Sequence, residues 1–294
     1  MPEFVYGGQA VIEGVVIRGR RTIALAVRRP SGAIYRYREP LDSPLQRSRI
    51  ARLPLVRGVV VLWESLVVGV RMLMRSANVA LEDESVRIEG ASGFGFVAVT
   101  VAIALAIFVG VPYLATQAIH GSVPDPAIQN VLEGLLRLAL LLGYILAISL
   151  LPDVRRVFAY HGAEHMTIHA YEHGVALDPQ VVAKYPAAHP RCGTAFLLLV
   201  VFVSILVFAF LERMNPIVAL LERLALVLPV AAISYEVLRF GAKHERRPIM
   251  RLVLWPGLLL QRLTTRQPSE PMIEVAIASL EEALAGDAER AQSA

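Results

Sequence analysis

The sequence predicts a mainly α, polytopic membrane protein: a bundle of about four transmembrane helices with a small N-terminal β element and cytoplasmic helices. Three observations lead there. Hydrophobic residues make up 55% of the 294 positions and charged residues only 18%, against about a quarter charged in soluble domains. Mean hydropathy is +0.55. The apolar residues are gathered into long runs separated by arginine-rich segments, the pattern of helices that cross a bilayer.

The elements follow in chain order. Residues 1–52 read as a cytoplasmic, β-rich segment. Thr22–Val27 and Ala33–Arg38 flank Arg29-Pro30-Ser31-Gly32, a hairpin turn, and Gly7–Gly14 reads as a third strand whose paired glycines permit a turn or bulge. Residues 53–95 read as an amphipathic or interfacial helix and a linker. Within Leu53–Met74, Arg57, Glu64 and Arg71 recur every seven residues and share one helix face. A span exposed to lipid would not carry that stripe at depth. Residues 96–151 hold two spans, Phe96–Ile119 without a charge and Leu135–Leu151 with Arg137 near its start. Residues 195–238 hold two more, Ala195–Leu211 and Ile217–Leu238, the latter with Glu222, Arg223 and Glu236. Each approaches the roughly 20 residues a bilayer core needs. Glu236 has Arg239 as its expected partner one turn on, and His244-Glu245 reads as a surface pair. In residues 239–294, Ile249–Leu260 is broken by Pro256-Gly257 and reads as interfacial or re-entrant. Met272–Leu284 has helical apolar spacing and is expected to end near Gly286.

The loops set the expected topology. Gly121–Asn130 has no Lys or Arg, whereas Arg18–Arg87, Arg155–Arg191 and Arg239–Arg251 are rich in arginine. The positive-inside rule then places both termini and the central segment in the cytoplasm. The lipid bilayer is the expected partner, and a homo-oligomer is compatible with the sequence. The net charge of +4 is spread without an aromatic-rich RNA motif, which argues against nucleic acid. Cys192 is the single cysteine, so no intrachain disulfide can form. The first residues lack the basic start and apolar run of a cleaved signal peptide.

Chemistry concentrates in residues 152–194, which hold five of the seven histidines. Asp153 after Pro152 is a helix start and Gly174 a helix stop, so one helix of about 20 residues is expected between them. At 100° per residue, His161, Glu164, His165, His169 and Glu172 fall within a sector of about 140°. Histidines four apart can reach one metal ion, and His161-x-x-Glu164-His165 spells the inverted zinc-peptidase signature. In that reading His161 and His165 bind Zn²⁺, or another divalent transition metal, and Glu164 is the catalytic base. Glu172, His189 and Cys192 are the candidates for a third ligand. Asp178-Pro179 introduces a short helix that turns the chain back. His173 fits a helix C-terminal cap better than a ligand.

At these residues the chain resembles the YqhQ-like family of bacterial integral membrane proteins, a domain of unknown function labelled as predicted metal-dependent enzymes. The resemblance rests on Gly7–Gly14, His161–His165, His189–Thr194 and Ser234-Tyr235-Glu236, with Pro256–Leu258 and Gln261–Thr265 as weaker matches. It implies a protein of the bacterial inner membrane with a metal centre, and supports His161, Glu164, His165, Glu172, His189 and Cys192 as the site. It also suggests that Gln9 and Glu13 reach that site. The family has lysine after the second histidine, where this chain has Met166. Two functions then compete. One is a zinc-dependent hydrolase at the cytoplasmic face. The other is a non-enzymatic metal-binding scaffold, sensor, or component of an oligomeric channel or transporter.

Overall fold

Small and β-branched residues dominate the first forty positions, and they build a four-stranded antiparallel meander of β1 (Gly7–Val11), β2 (Gly14–Arg18), β3 (Thr22–Arg28) and β4 (Ile34–Pro40). The computed structural model describes residues 6–41, 43, 48–81, 90–123, 125–211, 215–244 and 247–292, without the side chains of 90–94 and 251. The hairpin expected around Arg29–Gly32 joins β3 to β4, with Gly32 at φ +86°. The stretch expected as one strand, Gly7–Gly14, instead bends at Ile12-Glu13, so that Val11 faces Gly14 and β2 runs back beside β1. Glu13 takes the left-handed conformation, φ +52°. Its carboxylate accepts from the Arg156 guanidinium and, at 3.2 Å, from the Tyr160 hydroxyl.

The sheet is the middle of three layers. On one face Val15, Ile17, Ala24 and Ala26 pack against α5 (Pro152–Glu172) and α10 (Glu270–Gln292). On the other, Val16, Ile23, Leu25 and Val27 pack against Met72 and Val68 of α1 (Val56–Ala80). Burial on both faces is why Val15-Val16-Ile17 shows no polar alternation. The charged stripe of α1 faces protein: Arg57 pairs with Glu236, Glu64 with Arg18 at 2.6 Å, and Arg71 with Glu39 at 3.0 Å. Glu236 thus takes its side-chain hydrogen bonds from Arg57 of α1, with the expected Arg239 acting on it as a nearby charge.

The other half is helical. Among the described residues three runs are long and apolar enough to cross a membrane, Gly95–Ala118, Pro126–Ile148 and Pro216–Lys243, and they make this a membrane protein. The first comprises α2 (Gly90–Leu105), a π turn at Ala106–Gly110 and α3 (Val111–Ala118). The second is α4 (Pro126–Ile148), which starts nine residues before the expected Leu135 because Asp125 caps it through the N–H groups of Ala127 and Ile128. The third is α8 (Pro216–Lys243). The remaining apolar stretch forms α7 (Gly193–Phe208), whose 16 residues fall short of the other three. Its rise of about 24 Å is less than a hydrocarbon core of about 30 Å.

Two proline and glycine signals mislead. Pro256 lies inside α9 (Pro248–Thr264) and does not break it. Gly257 is needed there for close approach, since a Cβ would come within 2.5 Å of the Ala195 Cβ on α7. The C-terminal helix α10 runs through Gly286 to Gln292, anchored by Asp287, which accepts from the Tyr6 hydroxyl and the Arg20 and Arg21 N–H groups at 2.7–2.9 Å. Glu245 of the expected surface pair lies outside the described residues.

Polar residues of the membrane helices meet in the bundle. Glu133 on α4 is fully buried and accepts from Arg137 at 2.9 Å and from Arg223 on α8 at 2.9 and 3.0 Å. Arg137 also donates to the Ser204 hydroxyl on α7 and to the Phe108 carbonyl, both at 2.7 Å. That carbonyl lies within the π turn, where the i→i−4 ladder is interrupted. Arg223 adds the Asn130 side-chain oxygen at 2.8 Å.

Candidate metal centre

The histidine helix is α5, 21 residues from Pro152. It stops where glycine allows: Gly174 takes φ +67° and donates to the Tyr171 carbonyl. Asp178 caps the short helix α6 (Pro179–Val182) with its carboxylate, and the following loop returns along α5. That return brings His189, Arg191 and Cys192 beside the histidine face. Gln261 on α9 fixes the loop by accepting from the His189 N–H at 2.8 Å and donating to the His189 carbonyl at 2.9 Å.

The candidate ligands fall into two neighbouring groups. His161, His165 and Cys192 each present one ligand atom within 4.8 Å of the others, and so do His169, Glu172 and His189. The first group is strongly preorganised. His161 Nδ1 lies 2.8 Å from the Thr264 carbonyl, and His165 Nδ1 lies 2.6 Å from the Ala187 carbonyl. A carbonyl only accepts, so both Nδ1 atoms carry hydrogen and both Nε2 lone pairs are left for a ligand. His161 Nε2 points at the Cys192 sulfur, 3.2 Å away. Metal-binding imidazoles are held in this way, with the second nitrogen tied to a backbone carbonyl. The Cys192 sulfur also meets the Thr194 hydroxyl at 3.1 Å, where Cys192 caps α7.

Glu164 sits at the seam. Its side chain is buried, with Oε2 3.5 Å from His165 Nε2. Burial drives its carboxyl above the ordinary carboxylate range, while His161, His189 and a hydrogen bond from the Gly8 backbone pull the other way. Burial pushes the His165 and His169 imidazoles below the usual histidine range, so both are neutral at neutral pH.

In the second group, His169 Nε2 donates to the Ala188 carbonyl at 2.9 Å. His189 Nε2 is buried without a hydrogen bond and lies 3.5 Å from Glu172 Oε2. Burial raises the Glu172 carboxyl, but His189 and Arg191 outweigh it and hold that carboxyl below its usual range. His173 donates through Nδ1 to the His169 carbonyl at 2.7 Å, the capping role its position suggests. Met166 is buried in the core.

Of the two N-terminal residues brought in by resemblance, Glu13 binds Arg156 and Tyr160 instead of joining either group. Gln9 lines a cavity of about 310 Å³ together with Gly8, Arg18 and Arg191. Sequence reasoning passes over Gln261 and Thr264 as site residues. They act from another helix through a side-chain amide and a backbone oxygen, and spacing does not reveal that.

The shifts have a consequence for the metal-free protein. Both imidazoles are depressed from 6.5, so the unfolded chain takes up protons first as pH falls. Their contribution is full above about pH 6.5 and is lost as pH falls through the folded values. Glu164, raised from 4.5, has the opposite sign, losing stability as pH rises. Thermal unfolding of chelator-treated protein should therefore fall off below about pH 6.5. His169→Asn should flatten that limb, and an unchanged slope in the variant would contradict the assignment.

Comparison with known proteins agrees with the resemblance. The family model described as "Protein of unknown function (DUF1385)" matches residues 53–286. The "Uncharacterized protein YqhQ" of Bacillus subtilis (strain 168) is 32% identical over 292 residues, covering 95% of this chain and 92% of that protein. No solved structure matches.

Proposed function

The chain belongs to the DUF1385 family, and from the geometry of its site we propose that it is a membrane-bound, metal-dependent hydrolase. The observation that carries this reading is the convergence of the His161 and His165 Nε2 atoms on the Cys192 sulfur, with both Nδ1 atoms tied to carbonyls. Two imidazoles and a thiolate suit Zn²⁺, and three protein ligands with a position left open is the pattern of catalytic sites. When bound, the ion supplies Lewis acidity toward the bond to be hydrolysed.

The chain's own groups do the rest. Glu164, buried and with its carboxyl held above the ordinary carboxylate range, is the group placed to take a proton from water as general base. The carbonyls of Thr264 and Ala187 orient the two imidazoles, and Gln261 holds the loop that carries Cys192. Glu172 and His189 lie beside this set with His169, as a second position for a metal or as groups that orient substrate. A metal-handling scaffold is the rival reading, favoured by that second triad.

The expected membrane is the bacterial inner membrane, with both termini and the metal centre on the cytoplasmic side. Arginine-rich segments at that end support it. So does α7, which starts at the site; three residues beyond its end, the Leu211 carbonyl accepts from Asn130 near the start of α4 at 2.9 Å. The proposed topology takes α7 together with the residues up to Leu211 as its fourth crossing, although the helix itself is shorter than the other three.

Metal analysis of detergent-purified protein tests the proposal. The wild type and Glu164→Gln should each hold at least about one equivalent of zinc, with Glu164→Gln inactive once a substrate is known. His165→Ala and Cys192→Ser should lose at least tenfold in affinity. Metal-free wild type after growth in added zinc would sink the reading. A wild type with two equivalents, of which His165→Ala and His169→Ala each remove one, would favour the scaffold.

A further inference from the structure

Two cavities adjoin the candidate metal centre, one with mixed polar and apolar walls and one almost wholly apolar. On the side of the sheet is the mixed cavity of about 310 Å³, whose charged and polar groups are Gln9, Arg18 and Arg191, and which includes Gly8, whose N–H reaches Glu164; the Arg191 guanidinium binds Glu172. The Arg191 Nε is buried and makes no hydrogen bond. The apolar cavity is larger, about 470 Å³, and lies among the membrane helices. Its near end is formed by Phe158, Thr194 and Thr264, and its far end by Arg137, Ser204 and Phe208.

The near end adjoins the metal site through two lining residues that touch candidate ligands. The Thr264 carbonyl holds His161, and the Thr194 hydroxyl touches Cys192. Between the ends the walls are apolar side chains of α2, α4, α7 and α8. A polar solute would lose its hydration there without finding partners. Arg137 and Ile148, both lining the cavity on α4, are eleven residues apart, or about 16 Å. That is about half of a 30 Å hydrocarbon core, the depth of one leaflet. The Arg137–Ser204 contact at 2.7 Å closes the far end.

We propose that the substrate is a membrane lipid, one hydrocarbon chain in the apolar cavity and the polar head in the mixed one. The link between head and tail then lies at His161, His165 and Cys192. The assignment of the reacting end rests on the hydrolase reading above; the seat for the chain rests on the cavity itself.

The test uses the full chain, zinc-loaded, in vesicles of phosphatidylethanolamine and phosphatidylglycerol. A trace of phosphatidylglycerol carries a diazirine at the middle of one palmitoyl chain, and crosslinked peptides are mapped after irradiation. Crosslinks should fall on Leu141–Ile148 and Leu197–Ser204 and should be competed by unlabelled phosphatidylglycerol. Val201→Trp, which fills the cavity from α7, should reduce them at least tenfold. Ala104→Phe, which fills it from α2, should do the same. Labelling at Phe96 and Leu206, which are exposed on the outside of the bundle, and zinc content should be unchanged. Absence of cavity crosslinks in zinc-bound protein would overturn the proposal. So would crosslinks that neither compete nor respond to either zinc-retaining variant. Protein that labels as expected but binds no zinc would remove the hydrolase reading and leave the lipid seat standing.

Discussion

Glu133→Leu is expected to cost about 3–5 kcal/mol of folding stability, the largest effect of any single replacement in the membrane half. Glu133 is the carboxylate that Arg137 and Arg223 share, and all three side chains are buried. Removing it leaves two guanidinium groups within the bundle without an anion between them. Thermal unfolding in detergent, read by size-exclusion recovery, should show the loss. Replacing all three residues with leucine or methionine of similar bulk should restore most of it, because an apolar set incurs no charge desolvation. A single variant within about 1 kcal/mol of wild type would mean that water or lipid headgroups already solvate the cluster.

Gly162→Ala is expected to act on structure and site together. Gly162 follows His161 on α5, and a Cβ there would lie 2.2 Å from the Arg266 carbonyl oxygen. That obstacle is backbone, in the strand-like segment after α9, which is also held to α5 by the Arg266 N–H bond to the Phe158 carbonyl at 2.9 Å. The helix and the segment must separate, at a cost of about 1–3 kcal/mol. Thr264 lies two residues before Arg266, so its hold on His161 Nδ1 loosens with the same movement. Zinc affinity should fall at least tenfold although no ligand has changed. Gly162→Ala protein with wild-type stability and zinc content would show that the two elements yield freely, and that the carbonyl does not preorganise His161.

Much of this was legible in the sequence, for identifiable reasons. The histidine helix was delimited by Pro152, Asp153 and Gly174, local signals that act through their own backbone. Its wheel brought His161, Glu164 and His165 to one face. Three of the long apolar runs were plain from hydropathy. What escaped depends on contacts distant in sequence. Asn130 reads as the end of a loop and Glu133 lies before the expected start of the span at Leu135, yet both belong to α4, where Arg223 and Arg137 satisfy them. β2 has no alternation to mark it as a strand of its own, because both its faces are covered. Pro256 read as a break because nothing local says that α7 lies against Gly257. The split of the ligands into two groups is set by where the loop after α6 returns, and Gln261 decides that from about 70 residues away.

The position of α10 has a consequence in time. The inner face of the sheet is complete once β4 has been made, but Ile273, Ala276 and Leu280, which cover it, come from the far end of the chain. Arg28 and its partner Glu274 are 246 residues apart. At about 5–20 residues per second, a ribosome delivers that helix tens of seconds after the sheet. Through that interval the membrane helices are made while an apolar face of the sheet stays uncovered. A chain stalled before α10 would be anchored but sticky, a substrate for holdase chaperones and proteases, and the last helix to emerge is the one that ends that exposure.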